Sequence, residues 1–125
     1  MNNFESYLSR VILDGNKKSF TLAFAVPHRQ AGVVQGIEDC KGRNPDGLKL
    51  LLAAARESAA REEKTGRMVS EYQYARGYLA GVEWVCNCAS AYLAKNGQTP
   101  VVPPTTTGFL EYSRLAELPA ARAAA

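Results

Sequence analysis

Apolar residues first recur at helical spacing. Phe4, Tyr7, Leu8, Val11 and Ile12 fall on one side of a helix over residues 4–13, with Asn2 or Asn3 as its cap. Asp14-Gly15-Asn16 reads as its stop. The period then changes: Phe20, Leu22, Phe24 and Val26 alternate with Thr21, Ala23 and Ala25, which predicts a short half-buried β element near 19–26. Val11 to Leu13 also fit the first arm of a hairpin across Asp14-Gly15, and the pattern leaves strand and hairpin open for residues 11–26.

Pro27 suits the first position of a helix, because its φ is already helical and its missing N–H has no partner there. Ala31, Val34 and Ile37 would be the buried edge of that helix, Gly32 and Gly36 weaken it, and Gly42 stops it. Asn44-Pro45-Asp46-Gly47 is a turn, with Asp46 placed to cap the next helix. Over 47–64 strong helix formers dominate. Leu48, Leu52, Ala55 and Ala59 make one stripe, and Lys49, Arg56, Glu57, Arg61, Glu63 and Lys64 make the wet face. Continuing the stripe lands on Glu62, Gly66 and Gln73, whereas the next stripe starts at Met68. That slip beside Gly66 predicts a helical hairpin rather than one rod.

The second arm of the hairpin, 67–95, carries two apolar series. Met68, Tyr72, Ala75, Leu79, Val82, Cys86, Ala89 and Leu93 step by four and three as a heptad seam. Tyr74, Tyr78, Gly81, Val85, Cys88 and Tyr92 repeat that spacing one residue earlier, about 100° round the helix. Gly77, Trp84 and Ala91 widen the arc, leaving a narrow polar strip of Gln73, Arg76, Glu83, Asn87 and Ser90. A helix apolar over so wide an arc is buried from more than one direction. The Leu48 to Ala59 helix covers the first seam; the N-terminal segments, another copy or a different protein would cover the second. Gly77 and Gly81 form a small-xxx-small pair where another backbone can approach. Tyr74, Tyr78, Trp84 and Tyr92 flank that notch with residue types enriched at interface hot spots. Asn96-Gly97 closes the helix.

Residues 97–125 change character. Pro100, Pro103 and Pro104 predict an extended arm, and Phe109, Leu110, Tyr112, Leu115 and Leu118 follow as a short apolar segment over 109–118. The organisation expected is a single, mainly α domain over 1–96 with a Pro/Thr-rich extended arm over 97–125.

Composition adjusts this little. A chain of 125 residues with 46% hydrophobic and 22% charged residues suits one globular domain. The net charge of +3 is spread along the chain, without the basic stripe that phosphate backbones require, so nucleic acid is not the expected partner. Leu79 to Leu93 is interrupted by Glu83 and Asn87 and is too short for a membrane span. The polar start, without a signal peptide, and an odd count of three cysteines point to a reduced setting, cytoplasmic or within a virion. Cys86 and Cys88, two apart on a helix, diverge and read as core. His28, the one histidine, reads as a capping or solvent-facing residue. No phosphate loop, metal cluster, cofactor motif or nucleophile-base arrangement emerges, and the expectation is a non-enzymatic protein without cofactors.

The stretch EYQYARGYLAGVEWV, residues 71–85, resembles helical segments of small virion-associated proteins of tailed bacteriophages, in which an aromatic-rich YxRGYxxG helix is joined to extended arms. The resemblance implies a multi-copy part of the capsid or head-to-tail region, with the C-terminal arm lying on a neighbour. The function expected is therefore structural assembly through protein subunits, self or heterologous. Tyr74, Gly77, Tyr78, Gly81, Trp84 and Tyr92 on the helix and Phe109, Leu110, Tyr112, Leu115 and Leu118 on the arm would form the interface. The alternative is a small regulatory binder, such as a phage-encoded inhibitor of a host protein or nucleic-acid complex.

Overall fold

The computed structural model describes residues 3–23, 26–65 and 69–102, and these are 84% helical, with no strand among them. Five helices follow one another: α1 (Asn3–Lys17), α2 (Ser19–Leu22), α3 (Pro27–Asp39), α4 (Pro45–Thr65) and α5 (Val69–Lys95). The mainly α architecture is organised around α5, on which α1, α3 and α4 all pack, while α3 and α4 have no close backbone approach to one another.

The stripes of α1 and α4 are those the spacing predicts. Tyr7, Leu8, Val11 and Ile12 are buried on α1, and Leu48, Leu52, Ala55 and Ala59 on α4. Asn44, and not Asp46, caps α4: its Oδ1 accepts the Gly47 amide at 2.7 Å, its carbonyl accepts the Leu48 amide at 2.9 Å, and Pro45 fills the first helical position. At the end of α5 the Gln98 amide reaches the Leu93 carbonyl at 2.8 Å and the Gly97 amide reaches Ala94 at 3.1 Å. Gly97 sits at φ +73°, so this stop needs a glycine.

Further expectations require correction. Residues 19–22 form the short helix α2 and Ala23 turns, so the β element near 19–26 is not formed there; Phe24 and Ala25 lie outside the described residues. Asp14-Gly15-Asn16 does not end α1. Gly15 is a buried helical residue over which the Trp84 ring lies, and a Cβ there would sit 2.8 Å from Cζ3 of that ring. On α3 the buried edge is Gly32, Val33, Gly36 and Ile37, and Ala31 and Val34 face solvent.

That last rotation exposes the joint on which the fold turns. Helix α3 presents Gly32 and Gly36, and α5 presents Gly77 and Gly81, with the same spacing of four. A Cβ on Gly81 would lie 2.5 Å from the Val33 carbonyl oxygen. Cβ atoms on Gly32, Gly36 and Gly77 would lie closer still to the carbonyl oxygens of Tyr74, Tyr78 and Arg29 respectively. Arg29 and Val33 meet Gly77 and Gly81 in the same order along both helices, so α3 and α5 run parallel, backbone against backbone, each glycine pair seated on the other helix's carbonyls. Dispersion and Cα–H···O contacts over the whole joint replace side-chain interdigitation. The remaining helices run the other way: Tyr7 bonds at Cys88 and Gly15 meets Trp84, while Leu48 lies by Cys86 and Arg56 by Glu83, so α1 and α4 are antiparallel to α5.

The arm begins on the bundle. Val101 and Val102 are buried, and the Val102 amide donates to Ser90 Oγ at 3.0 Å, which accounts for a 2% exposed serine on the strip expected to be polar. Residues 103–125 lie outside the described residues.

The interlock makes a sharp prediction. At an exposed helix position Gly→Ala stabilises by about 1 kcal/mol; Gly77→Ala or Gly32→Ala should instead destabilise by about 3 kcal/mol, because carbonyl backbone cannot yield as a side-chain tip does. Urea unfolding measures this, and a stabilised Gly77→Ala protein would contradict the joint.

Candidate functional site

The residues expected to form an interface divide according to their place around α5. Gly77 and Gly81 are buried in the joint with α3, so the notch expected to receive another protein is filled by this chain's own helix. Trp84 is 5% exposed, its ring over Gly15, where Ile37 also lies, with Lys18 Nζ 5.9 Å from its ring centre. Tyr92 is half-buried, stacked on Tyr7 at 4.3 Å between ring centres and tilted toward Phe4 at 6.2 Å. Phe109, Leu110, Tyr112, Leu115 and Leu118 lie outside the described residues. Tyr74 and Tyr78 remain.

These two tyrosines floor a groove of about 590 Å³. Its floor is a stripe of α5, Ser70, Glu71, Tyr74, Ala75 and Tyr78, and its long wall is a stripe of α4, Leu51, Ala54, Ala55, Ser58 and Glu62; His28, in the first turn of α3, closes the other side. The groove exists because, at the level of Tyr74 and Tyr78, α3 and α4 lie along different sides of α5 with no close backbone approach between them. Tyr74 is 41% exposed, a large amphipathic ring left in water. Tyr78 is anchored: its hydroxyl donates to Asp39 Oδ2 at 2.5 Å, and Gln35 Nε2 donates to Asp39 Oδ1 at 2.7 Å. Burial, reinforced by that hydrogen bond and the Asp39 charge, pushes the Tyr78 phenol well above its ordinary value. Next to His28, Arg29 Nε donates to Gln73 Oε1 at 2.8 Å, pinning the start of α3 to α5.

The other exposed large apolar side chains, Leu13, Phe20, Val34 and Leu50, stand one on each of four helices and none lines the groove. A second hollow of about 830 Å³ at the opposite end lies among Phe4, Arg43, Asn44, Tyr92 and Asn96 and is lined by the polar ends of helices. The spacing of Tyr74 and Tyr78 was legible in the sequence, but the α4 wall was not. Ala54 and Leu51 flank the buried stripe of that helix, and an alanine beside a stripe carries no signal of its own.

Reactive chemistry is muted. Cys40, Cys86 and Cys88 are all buried free thiols. Cys40 Sγ donates to the Gly36 carbonyl at 3.3 Å and Cys86 Sγ to that of Leu48 at 3.7 Å. Burial, with Cys86 adding to it, raises the Cys40 thiol, and burial pushes Cys86 up to about 12. Tyr7, whose hydroxyl donates to the Cys88 carbonyl at 3.0 Å, is raised mainly by burial as well. Among the described residues no three His, Cys, Asp or Glu side chains gather as a metal ion would require, and no helix is long and apolar enough to cross a membrane.

These raised groups set a pH response. Between about pH 9 and about pH 12 the unfolded chain loses the Cys86 proton while the folded chain keeps it, so the contribution is fully present below pH 9 and lost above it. Each such thiol removes about 1.4 kcal/mol of stability per pH unit in that window. Cys86→Ala should flatten the alkaline decline of urea-unfolding stability by about that slope, and an unchanged decline would mean that Cys86 does not titrate from a buried state.

Compared with known proteins, the chain matches no family model, no curated protein and no solved structure, so its activity has to be read from these residues.

Proposed function

We propose that this chain is a non-enzymatic assembly protein that docks on other protein subunits through the groove between α3 and α4, floored by Tyr74 and Tyr78, and through its C-terminal arm. The observation that carries the reading is the exposure of Tyr74. Nearly every other aromatic and small residue of the second seam has been absorbed by α1 or α3, and this ring alone on α5 combines a large apolar surface with open access. A tyrosine in an apolar groove with a polar rim, here His28, Ser58, Glu62 and Glu71, is the composition of a docking site. Buried thiols held in their protonated form and a single exposed histidine support a role without catalysis.

The virion setting suggested by residues 71–85 is part of the proposal and rests on that resemblance alone. The joint with α3 gives Gly77 and Gly81 of that stretch a structural reason of their own, so the groove, and not the motif, carries the docking reading.

A photo-cross-linking residue in place of Tyr74, introduced into the chain in its native cellular setting, tests the reading. Discrete adducts with protein chains, lost when Ala54→Glu charges the groove wall, are the expected result. Irradiation that yields no protein adduct would rule out the groove as a docking site, and a single stoichiometric foreign adduct would favour the regulatory binder over the multi-copy assembly.

A further inference from the structure

We infer that the groove receives residues 109–118 of a second copy of this chain. The inference rests on the docking reading above and names its occupant.

The shape of the groove comes first. Floor positions 70, 71, 74, 75 and 78 and wall positions 51, 54, 55, 58 and 62 both advance by threes and fours, so each side is one face of a helix. The complement of two helix faces separated by a gap is a third helix laid between them. At 1.5 Å per residue the floor is about 12 Å long and the wall about 17 Å long. Residues 109–118 as a helix would be about 14 Å long. Their apolar residues match a one-sided insertion: Phe109, Tyr112, Leu115 and Ala116 fall on one stripe at steps of three and four, with Ser113, Arg114 and Glu117 on the reverse side, Glu111 and Leu118 together on its flank and Leu110 off the stripe. Among the residues outside the five helices, this is the segment with such a face.

The choice of copy follows from the tether. Val102 is fixed to Ser90 through its amide. Ser90 and Tyr74 are sixteen residues apart on one helix, which puts them about 24 Å apart along its axis and about 160° apart around it. Tyr78, the nearer end of the floor, is about 18 Å and about 120° away. Six residues lie between Val102 and Phe109, and the seven steps, fully extended, reach about 25 Å at most. The axial distance consumes most of that reach, and the chain would still have to pass outside α4 on one side of α5, or outside α1 and α3 on the other, each helix about 10–12 Å thick. The arm therefore misses its own groove and is free to enter another. One arm and one groove per chain make the contact heterologous unless two chains exchange arms reciprocally.

Sedimentation velocity of the full chain up to high micromolar concentration tests this. The wild-type chain should sediment well above its monomer mass of 13.6 kDa. Leu115→Asp in the arm and Ala54→Glu on the exposed wall should each return it to monomer, with Phe109→Asp and Ser58→Arg as second variants and circular dichroism melting to show that each bundle remains folded. Mixing Leu115→Asp with Ala54→Glu should restore association, because one supplies an intact groove and the other an intact arm. A wild-type chain that stays monomeric, an arm variant that still associates, or a mixture that does not recover would overturn the inference. With the cross-linker at Tyr74, adducts to 109–118 of the same chain or only to a foreign protein would also overturn it while leaving the groove a docking site; the absence of any adduct would remove both.

Discussion

Everything in this bundle depends on how closely α3 can lie on α5. A pair of helices with ordinary side chains between them sits 8–10 Å apart and meets through ridges and grooves. Here four glycines remove the side chains at the crossing, and each pair rests on the carbonyl oxygens of the other helix. Such a joint has little latitude, because its neighbours are backbone atoms. Its register then places other groups: Ile37 beside the Trp84 ring, Asp39 within reach of Tyr78, and Arg29 against Gln73. Four helical glycines carry a backbone-entropy cost of about 1 kcal/mol each relative to alanine, and the close approach must offset it.

The apolar circumference of α5 follows from this packing and varies along its length. Toward its C-terminal end, α1, α3, α4 and the returning Val101-Val102 segment surround it, so that Val82, Val85, Cys86, Cys88, Ala89 and even Ser90 are buried. Toward its N-terminal end α1 no longer reaches, and the first turns of α3, at Arg29 and Gly32, and the last turns of α4 lie along separate sides of α5. The same broad apolar pattern is therefore satisfied within the chain at one end and left partly open at the other. The groove is the gap left between α3 and α4, where no helix of the described residues covers that side of α5.

The readable parts of the sequence were those with one partner and one period. Leu48, Leu52, Ala55 and Ala59 belong to a helix that packs on α5 alone, and Tyr7, Leu8, Val11 and Ile12 form one continuous stripe of α1; a single-faced stripe states its own burial. What failed to read was the part decided by neighbours distant in sequence. Gly15 looks like a stop until the Trp84 ring occupies the space a side chain would need, and Gly32 and Gly36 look like weak points in a helix until they meet Gly77 and Gly81. The two pairs share a spacing of four, and reading them as halves of one joint was the available clue; taken singly, Gly77 and Gly81 pointed outward to a partner. The alternation over 19–26 misled for a similar reason. Phe20 and Thr21 are exposed and Ala23 is buried, a mixture set by α2 packing on α3 and α5 and not by a sheet face.

For the proposed docking, the contrast between the joint and the groove also limits what the groove could accept. At the α3 joint, backbone meets backbone, and any side chain would be expelled. Sixteen residues of α5 earlier than Ser90, at Tyr74, the surface is instead a projecting ring beside alanines on α4, Ala54 and Ala55. An incoming helix there cannot approach as closely as α3 does, and must meet the floor by inserting its own side chains around Tyr74 and over the alanines. Large apolar residues at helical spacing fill such a relief, and glycine or alanine at those positions would leave it hollow. Tyr78, tied to Asp39, holds the α3 side of the floor in place while Tyr74 remains able to adjust. The groove thus combines a fixed edge with one adaptable aromatic, and under the proposed docking its specificity would lie in the spacing of the guest's side chains more than in charge.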